Sequence, residues 1–185
     1  MFHTLHKIYL GICWLVVLGL AGWLYLNRAI FNPLVDLVDA LTVRDGFQQE
    51  RLGELSGKVT RVLDGGTFQL RSTQGQTYMI KLTGVEAPTF QKGNRAELLR
   101  AGESRTNLIR LVLSNEVRVE LTYTNESRGA LGIVYVKNTN ANAVLAQSGS
   151  VHIRRDYMNG LPLKDRYALI QADRKAKERN TAQGD

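Results

Sequence analysis

Apolar residues are laid out along this chain in three ways, and each predicts a different kind of element. Between residues 8 and 26 they are nearly continuous: IYLGICWLVVLGLAGWLYL holds no charge and no proline. At about 1.5 Å per residue, a helix of that length comes close to covering the roughly 30 Å hydrocarbon core of a bilayer. Beyond Asn32-Pro33, which reads as an N-cap followed by a first-turn proline, the spacing becomes helical and one-sided. Leu34, Leu37, Val38 and Leu41 share a face, Asp36 and Asp39 lie toward the other, and Gly46 offers a stop. After a polar linker over residues 48–53 the pattern changes to alternation. Residues 58–63, 67–71 and 77–83 read as three strands, punctuated by the turn Asp64-Gly65-Gly66 and the loop Ser72 to Gln76, and Pro88 stops the ladder.

The rest of the chain switches period twice more. Residues 95–113 return to helical spacing, interrupted at Gly102. Residues 117–123, VRVELTY, alternate strictly, and 131–136 form the partner of a hairpin across Asn125 to Gly129. Residues 141–147 predict a short helix ending at Gly149, and 163–179 a basic amphipathic helix followed by a frayed tail over 180–185. The expected organisation is an anchor (1–27), an amphipathic helix with linker (28–53), a folded domain (54–180) and a flexible tail (181–185).

The first segment reads as a single-pass membrane anchor, with Trp14, Trp23, Tyr9 and Tyr25 near the levels where aromatic belts form and Lys7 and Arg28 bracketing it. A cleaved secretory signal and a buried soluble helix are the competing readings; the run exceeds the usual signal core of about 7–15 residues. Lys7 and the α-amine on one side and Arg28 and Arg44 on the other leave the orientation open. The amphipathic helix can lie in the membrane interface, pair with a partner helix, or pack on its own domain.

Composition changes this picture in one respect. The 185-residue chain carries a formal net charge of +7, and residues 1–53 balance four basic against four acidic side chains. The excess therefore belongs to the C-terminal domain, where it suits nucleic acid, anionic lipid headgroups or an acidic partner, or serves solubility. The candidate contact surface is Arg154-Arg155 with the final helix, Arg174 and Lys175 above all. The single Cys13 excludes a disulfide framework and a zinc knuckle. His3, His6 and His152 are too scattered for a metal set, and no phosphate-binding glycine loop is present.

The motifs Val62-Leu63-Asp64-Gly65-Gly66-Thr67 and Ile80-Lys81-Leu82-Thr83-Gly84-Val85-Glu86-Ala87-Pro88, the hairpin from Arg128 to Tyr135 and Asn142-Ala143-Val144-Leu145-Ala146 with Gly149 follow one another in a particular order. Over residues 55–177 that order resembles the staphylococcal nuclease (thermonuclease) family. The resemblance implies an α+β fold, an OB-fold five-stranded β-barrel with about three packed helices, here preceded by the transmembrane and amphipathic helices.

Active members of that family cut phosphodiesters with a calcium ion held by two carboxylates and a carbonyl, a glutamate general base and two arginines. Carried over, the first metal carboxylate falls on Gly66, the second on Glu86, the base on Thr89 and the first arginine on Lys81. Arg128 stands one residue from the second arginine's place, and Asp64 is left for the turn or for a rebuilt metal site. A hydroxyl is no base near neutral pH, lysine lacks the bidentate fork, and glycine offers calcium no oxygen from a side chain. The resemblance thus implies a degenerate site without cofactor, and a membrane-anchored binding, accessory or scaffold subunit of a membrane-associated complex. The alternative is a membrane-bound, calcium-dependent phosphodiesterase acting on DNA or RNA. The expected partners are the bilayer through residues 8–26, a membrane protein complex, and nucleic acid or anionic headgroups.

Overall fold

The structure, a computed structural model, describes residues 14–23, 25–42, 52–90, 94–125, 127, 129–158 and 160–183. Two compact units make up the chain, Met1–Val38 and Asp39–Asp185. In the first, helix α1 (residues 14–23) exposes every described side chain, Trp14 and Trp23 included. A turn at Asn27, whose amide reaches the Trp23 carbonyl at 2.9 Å, leads into α2 (Arg28–Thr42). Pro33 therefore lies inside a helix rather than at its start. The Asn27 carbonyl already accepts from the Ile30 amide at 2.9 Å, so the helix is under way before Asn32 is reached. Among the described residues no helix is long and apolar enough to cross a membrane. The span expected over residues 8–26 lies partly outside the described residues, at 8–13 and 24.

The second unit is built around a closed barrel. Strand β1 (Glu54–Val62) pairs antiparallel with both β2 (Thr67–Ser72) and β5 (Glu116–Thr124). β2 continues to β3 (Thr77–Leu82), β5 to β6 (Gly129–Val136), and the parallel pairing of β3 with β6 closes five strands into a ring. Val59, Val62, Phe68, Leu70, Ile80, Val117, Val119 and Ile133 fill the interior, by strict alternation in β2 and with a shift of register in β1. Burying each such side chain stabilises by roughly 1.5–3 kcal/mol relative to exposure. β1 starts four residues earlier than alternation alone suggests, because its polar beginning is held by β5, Glu54 against Glu120 and Gly57 against Val117.

Three helices cover the barrel. α3 (Arg95–Val112) is capped by Asn94, whose Oδ1 accepts from the Glu97 amide at 3.0 Å. It buries Ala101, Ser104, Leu108 and Val112. After the short β7 (Thr139–Asn140), α4 (Ala141–Gln147) has Asn140 as its cap, accepting from the Ala143 amide at 3.0 Å. α5 (Leu163–Gln183) runs through most of the tail expected to fray, with the Thr181 hydroxyl on the Lys177 carbonyl at 3.0 Å.

Buried polar groups lock these pieces together. Asn142, fully buried, accepts from the Val134 amide at 3.0 Å and donates to the Thr83 carbonyl at 2.8 Å, joining α4 to β6 and to the turn after β3. The Tyr135 hydroxyl donates to Asp165 Oδ1 at 2.5 Å, where Asn140 Nδ2 also donates at 3.2 Å. Burial, followed by that hydrogen bond and the charges of Asp165 and Glu120, pushes the Tyr135 hydroxyl well above its ordinary pKa against the opposing charge of Arg118.

Candidate functional site at the barrel mouth

The β1–β2 turn and the exit of β3 meet at one end of the barrel. The Leu63 and Asp64 amides reach the Thr67 carbonyl at 2.9 and 3.4 Å, and the Gly66 carbonyl accepts from the Leu82 amide at 2.9 Å. Asp64 Oδ1 accepts from the Gly66 amide at 2.7 Å, so this carboxylate is occupied by its own turn.

The two glycines of this turn are there for different reasons. A Cβ on Gly65 would stand 1.9 Å from Ser104 Oγ and 2.7 Å from Ser104 Cβ, so α3 packs where a side chain would go. A Cβ on Gly66 would meet Ala87 Cβ at 3.5 Å and Asp64 Oδ1 at 3.8 Å, which is ordinary contact. Packing leaves room for a side chain at position 66.

Glu86 ends the chain's run past β3. The two-residue strand β4 (Val85–Glu86) pairs antiparallel with β8 (His152–Ile153), and the Arg154 amide donates to the Gly84 carbonyl at 2.9 Å. This ribbon delivers Arg154 to the exposed Glu86 carboxylate, with Nη1 2.5 Å from Oε2. The same guanidinium grips Asp156 in a two-pronged pair, Nε to Oδ1 at 3.0 Å and Nη2 to Oδ2 at 2.7 Å, and lies 4.9 Å from the Tyr157 ring centroid. Its hydrogen bond to Asp156, then that to Glu86, raises the Arg154 pKa further; the Arg154 hydrogen bond holds Asp156 below the usual carboxylate range.

Lys81, exposed on β3, and Glu86 line a cavity of about 110 Å³ with Gly84, Leu131 and Tyr157. Thr89 is exposed after Pro88 and contributes only a hydroxyl. Arg128 lies outside the described residues.

A calcium ion asks for several oxygen ligands at about 2.3–2.6 Å, at least some of them carboxylate. Here Asp64 Oδ1 accepts from a backbone amide, and Glu86 Oε2 is paired with a guanidinium that supplies the positive charge a metal would bring. Among the described residues no three His, Cys, Asp or Glu side chains cluster to hold a metal. The residues present do not fit calcium, and no chemical step can be derived through one.

The remaining sequence candidates are mostly spoken for. Arg155 holds Asp39 through two contacts of 2.6 Å, Nη1 to Oδ1 and Nη2 to Oδ2. On α5, Arg174 meets Glu178 at 3.4 Å, Lys177 meets Asp173 at 2.7 Å, and Arg179 donates to the Gln147 carbonyl at 2.6 Å. Lys175 is exposed. Within the final helix, Arg174 and Lys177 are thus paired with carboxylates of the same helix. Sequence reasoning also had no means of finding the Glu86–Arg154–Asp156 group. Its first two members are 68 residues apart and joined by strands of two residues each, too short for any periodicity to announce.

A second cavity, of about 390 Å³, lies between α3 and the turn after α4. Its polar wall includes Asn107, which donates to Ser150 Oγ at 2.8 Å, and Ser148, whose Oγ is 2.6 Å from that of Ser150. Arg100, Glu103, Ser104 and His152 also line this cavity.

Residues 79–182 match the family described as Staphylococcal nuclease homologue. No curated protein matches the chain.

Proposed function

The chain belongs to the staphylococcal nuclease homologue family, and from that membership we propose that it is a member without phosphodiesterase chemistry, acting as a membrane-tethered binding or accessory module of a membrane-associated complex. The observation that carries the first half is the closed Glu86–Arg154–Asp156 group beside Gly66 and Thr89. An in-line attack on phosphorus needs an activated water and charge stabilisation at the leaving oxygen. Thr89 cannot take the proton, Gly66 carries no ligand, and Glu86 already has its counter-charge. Each missing contribution is worth on the order of 10²–10⁴ in rate.

The tether rests on the uncharged run of residues 8–26 with its tryptophans and tyrosines. α2 adds exposed Ile30, Leu34, Val35, Leu37, Val38 and Leu41, an amphipathic helix suited to the interface of that bilayer. Together they favour a single-pass membrane location, with the barrel presented as a rigid platform at the surface.

Two assays test the halves separately. The purified full chain in detergent is incubated with single-stranded DNA and RNA in calcium, magnesium or manganese; no cleavage above the protein-free control is expected. Metal-dependent cutting that Glu86→Gln abolishes would return the protein to the nucleases. Alkaline carbonate washing of membranes expressing the full chain is expected to leave it in the pellet, and release into the supernatant would remove the anchor. Gentle detergent extraction is expected to bring down a stoichiometric partner, whereas recovery of monomer alone would count against an accessory role.

A further inference from the structure

The outer surface of β1, β2 and β3 is where the barrel's charge is left unanswered. Register places Lys58 directly opposite Arg71, Arg61 opposite Gln69, and Lys81 opposite Thr67, and all four cations are exposed. A like-charged pair facing across two strands is unfavourable for the fold. None of the four has a carboxylate within ion-pair distance among the described residues, while Arg118, Lys164, Arg154, Arg155, Arg174 and Lys177 each hold one. β2 and β3 contain no acidic residue at all, and Glu116 on β5, in register with Lys58, is the nearest acid along that row.

One cation is on this face because of an irregularity. Val59 and Val62 both point inward, so strict alternation would spend three residues where the strand uses four. The register shift between Val59 and Arg61 inserts the extra residue as a bulge, and Thr60 and Arg61 are both exposed. The bulge keeps Val62 in the core and turns Arg61 outward to join Lys58 and Arg71.

We propose that this face, Lys58, Arg61, Arg71 and Lys81, is a docking surface for the anionic headgroups of a phospholipid bilayer. Single-stranded nucleic acid fits it less well, because such binding relies on exposed rings for base stacking. The aromatic residues of these strands are Phe68, wholly buried, and Tyr78, half-buried with its hydroxyl on Gln76 at 2.7 Å, and the exposed Tyr157 ring near Lys81 already carries the Arg154 guanidinium at 4.9 Å. Headgroups ask only for accessible positive charge at close spacing. The inference rests on the tethered reading above, since a chain held in the bilayer keeps this face at high local concentration near the lipids.

The test needs no variant at first. The full chain is reconstituted in nanodiscs of phosphatidylcholine with and without phosphatidylserine, and its lysines are acetylated with a water-soluble reagent and read by mass spectrometry. Lys58 and Lys81 are expected to react about fivefold more slowly in the anionic discs, with the protection lost at high salt. Lys175 and Lys177 are expected to keep their rates, and the double variant Lys58→Glu, Arg71→Glu, at exposed positions, to lose the protection at Lys81. Equal reactivity of Lys58 and Lys81 in the two discs overturns the proposal. So does protection that appears only when an oligonucleotide is added to neutral discs. Failure of the chain to incorporate into neutral discs is a failure of the anchor reading, and the lysine comparison is then made with neutral and anionic vesicles added to the same full chain.

Discussion

The barrel's mouth and the outer face of β1–β2–β3 share Lys81 and handle charge in opposite ways. At the mouth, each carboxylate has been given a partner from within the chain, Asp64 a backbone amide and Glu86 a guanidinium already doubly bound to Asp156. On the face, four cations stand with no carboxylate within ion-pair distance among the described residues, and two of them are placed directly opposite each other. A nuclease mouth keeps its carboxylates free for a metal. Here the charge without an ion-pair partner is positive and lies along the sheet.

The contrast can be broken most severely from inside. Phe68 is wholly buried one residue from Gln69 on the outer face. Phe68→Ala is expected to cost about 3–5 kcal/mol in chemical denaturation, while Arg71→Ala changes stability by no more than about 0.5 kcal/mol. A comparable loss in both would mean that the face is structural.

The two glycines of the turn sharpen the comparison next. Gly65→Ala drives a Cβ into Ser104 Cβ on α3 and is expected to cost about 1–3 kcal/mol. Gly66→Ala meets only ordinary contacts and is expected to stay within about 1 kcal/mol of wild type. If both were equally damaging, glycine at position 66 would be a packing requirement.

A pH series probes the interior beside the mouth. Because the folded state raises the Tyr135 pKa, the unfolded chain releases that proton first, at about pH 10. Stability from this group is complete below that pH and declines as pH rises toward the folded-state value. Thermal unfolding is expected to show a decline above about pH 10 that is shallower in Tyr135→Phe. The smallest effect belongs to the face: Arg71→Glu, whose other cross-strand neighbour is Thr77, turns a like-charged pair with Lys58 into an opposite one and is expected to gain about 0.2–1 kcal/mol. Stability gained together with lost lysine protection in anionic nanodiscs would separate fold from binding at one residue.

Much of the architecture was written in local pattern. The strict alternation of residues 117–123 became the centre of β5, the helix over residues 141–147 has the bounds of α4, and the Asp-Gly-Gly turn joins β1 to β2. What local pattern could not carry was pairing at long range. The polar start of β1 is a strand only because β5 lies beside it, and the β4–β8 ribbon is two residues deep on each side. Pro33 misled for a related reason: proline marks a first turn when a helix starts there, and this helix starts at Arg28. At the site, the residue types at 66, 86 and 89 were readable in the sequence. That Glu86 would be closed by Arg154 was not, since nothing in a charge count says which cations will meet which acids.

The measurement closest to the centre of this account is thermal unfolding of the full chain in detergent with and without calcium at about 10 mM, roughly tenfold above the dissociation constant of the weakest ordinary protein sites. Occupancy of even such a site would add about 1.4 kcal/mol, a rise of roughly 3–6 °C in a chain of this size. The closed mouth predicts no calcium-dependent shift in the wild-type protein. A rise of that size that disappears in Glu86→Gln would show that the carboxylate takes a metal after all, and would contradict it.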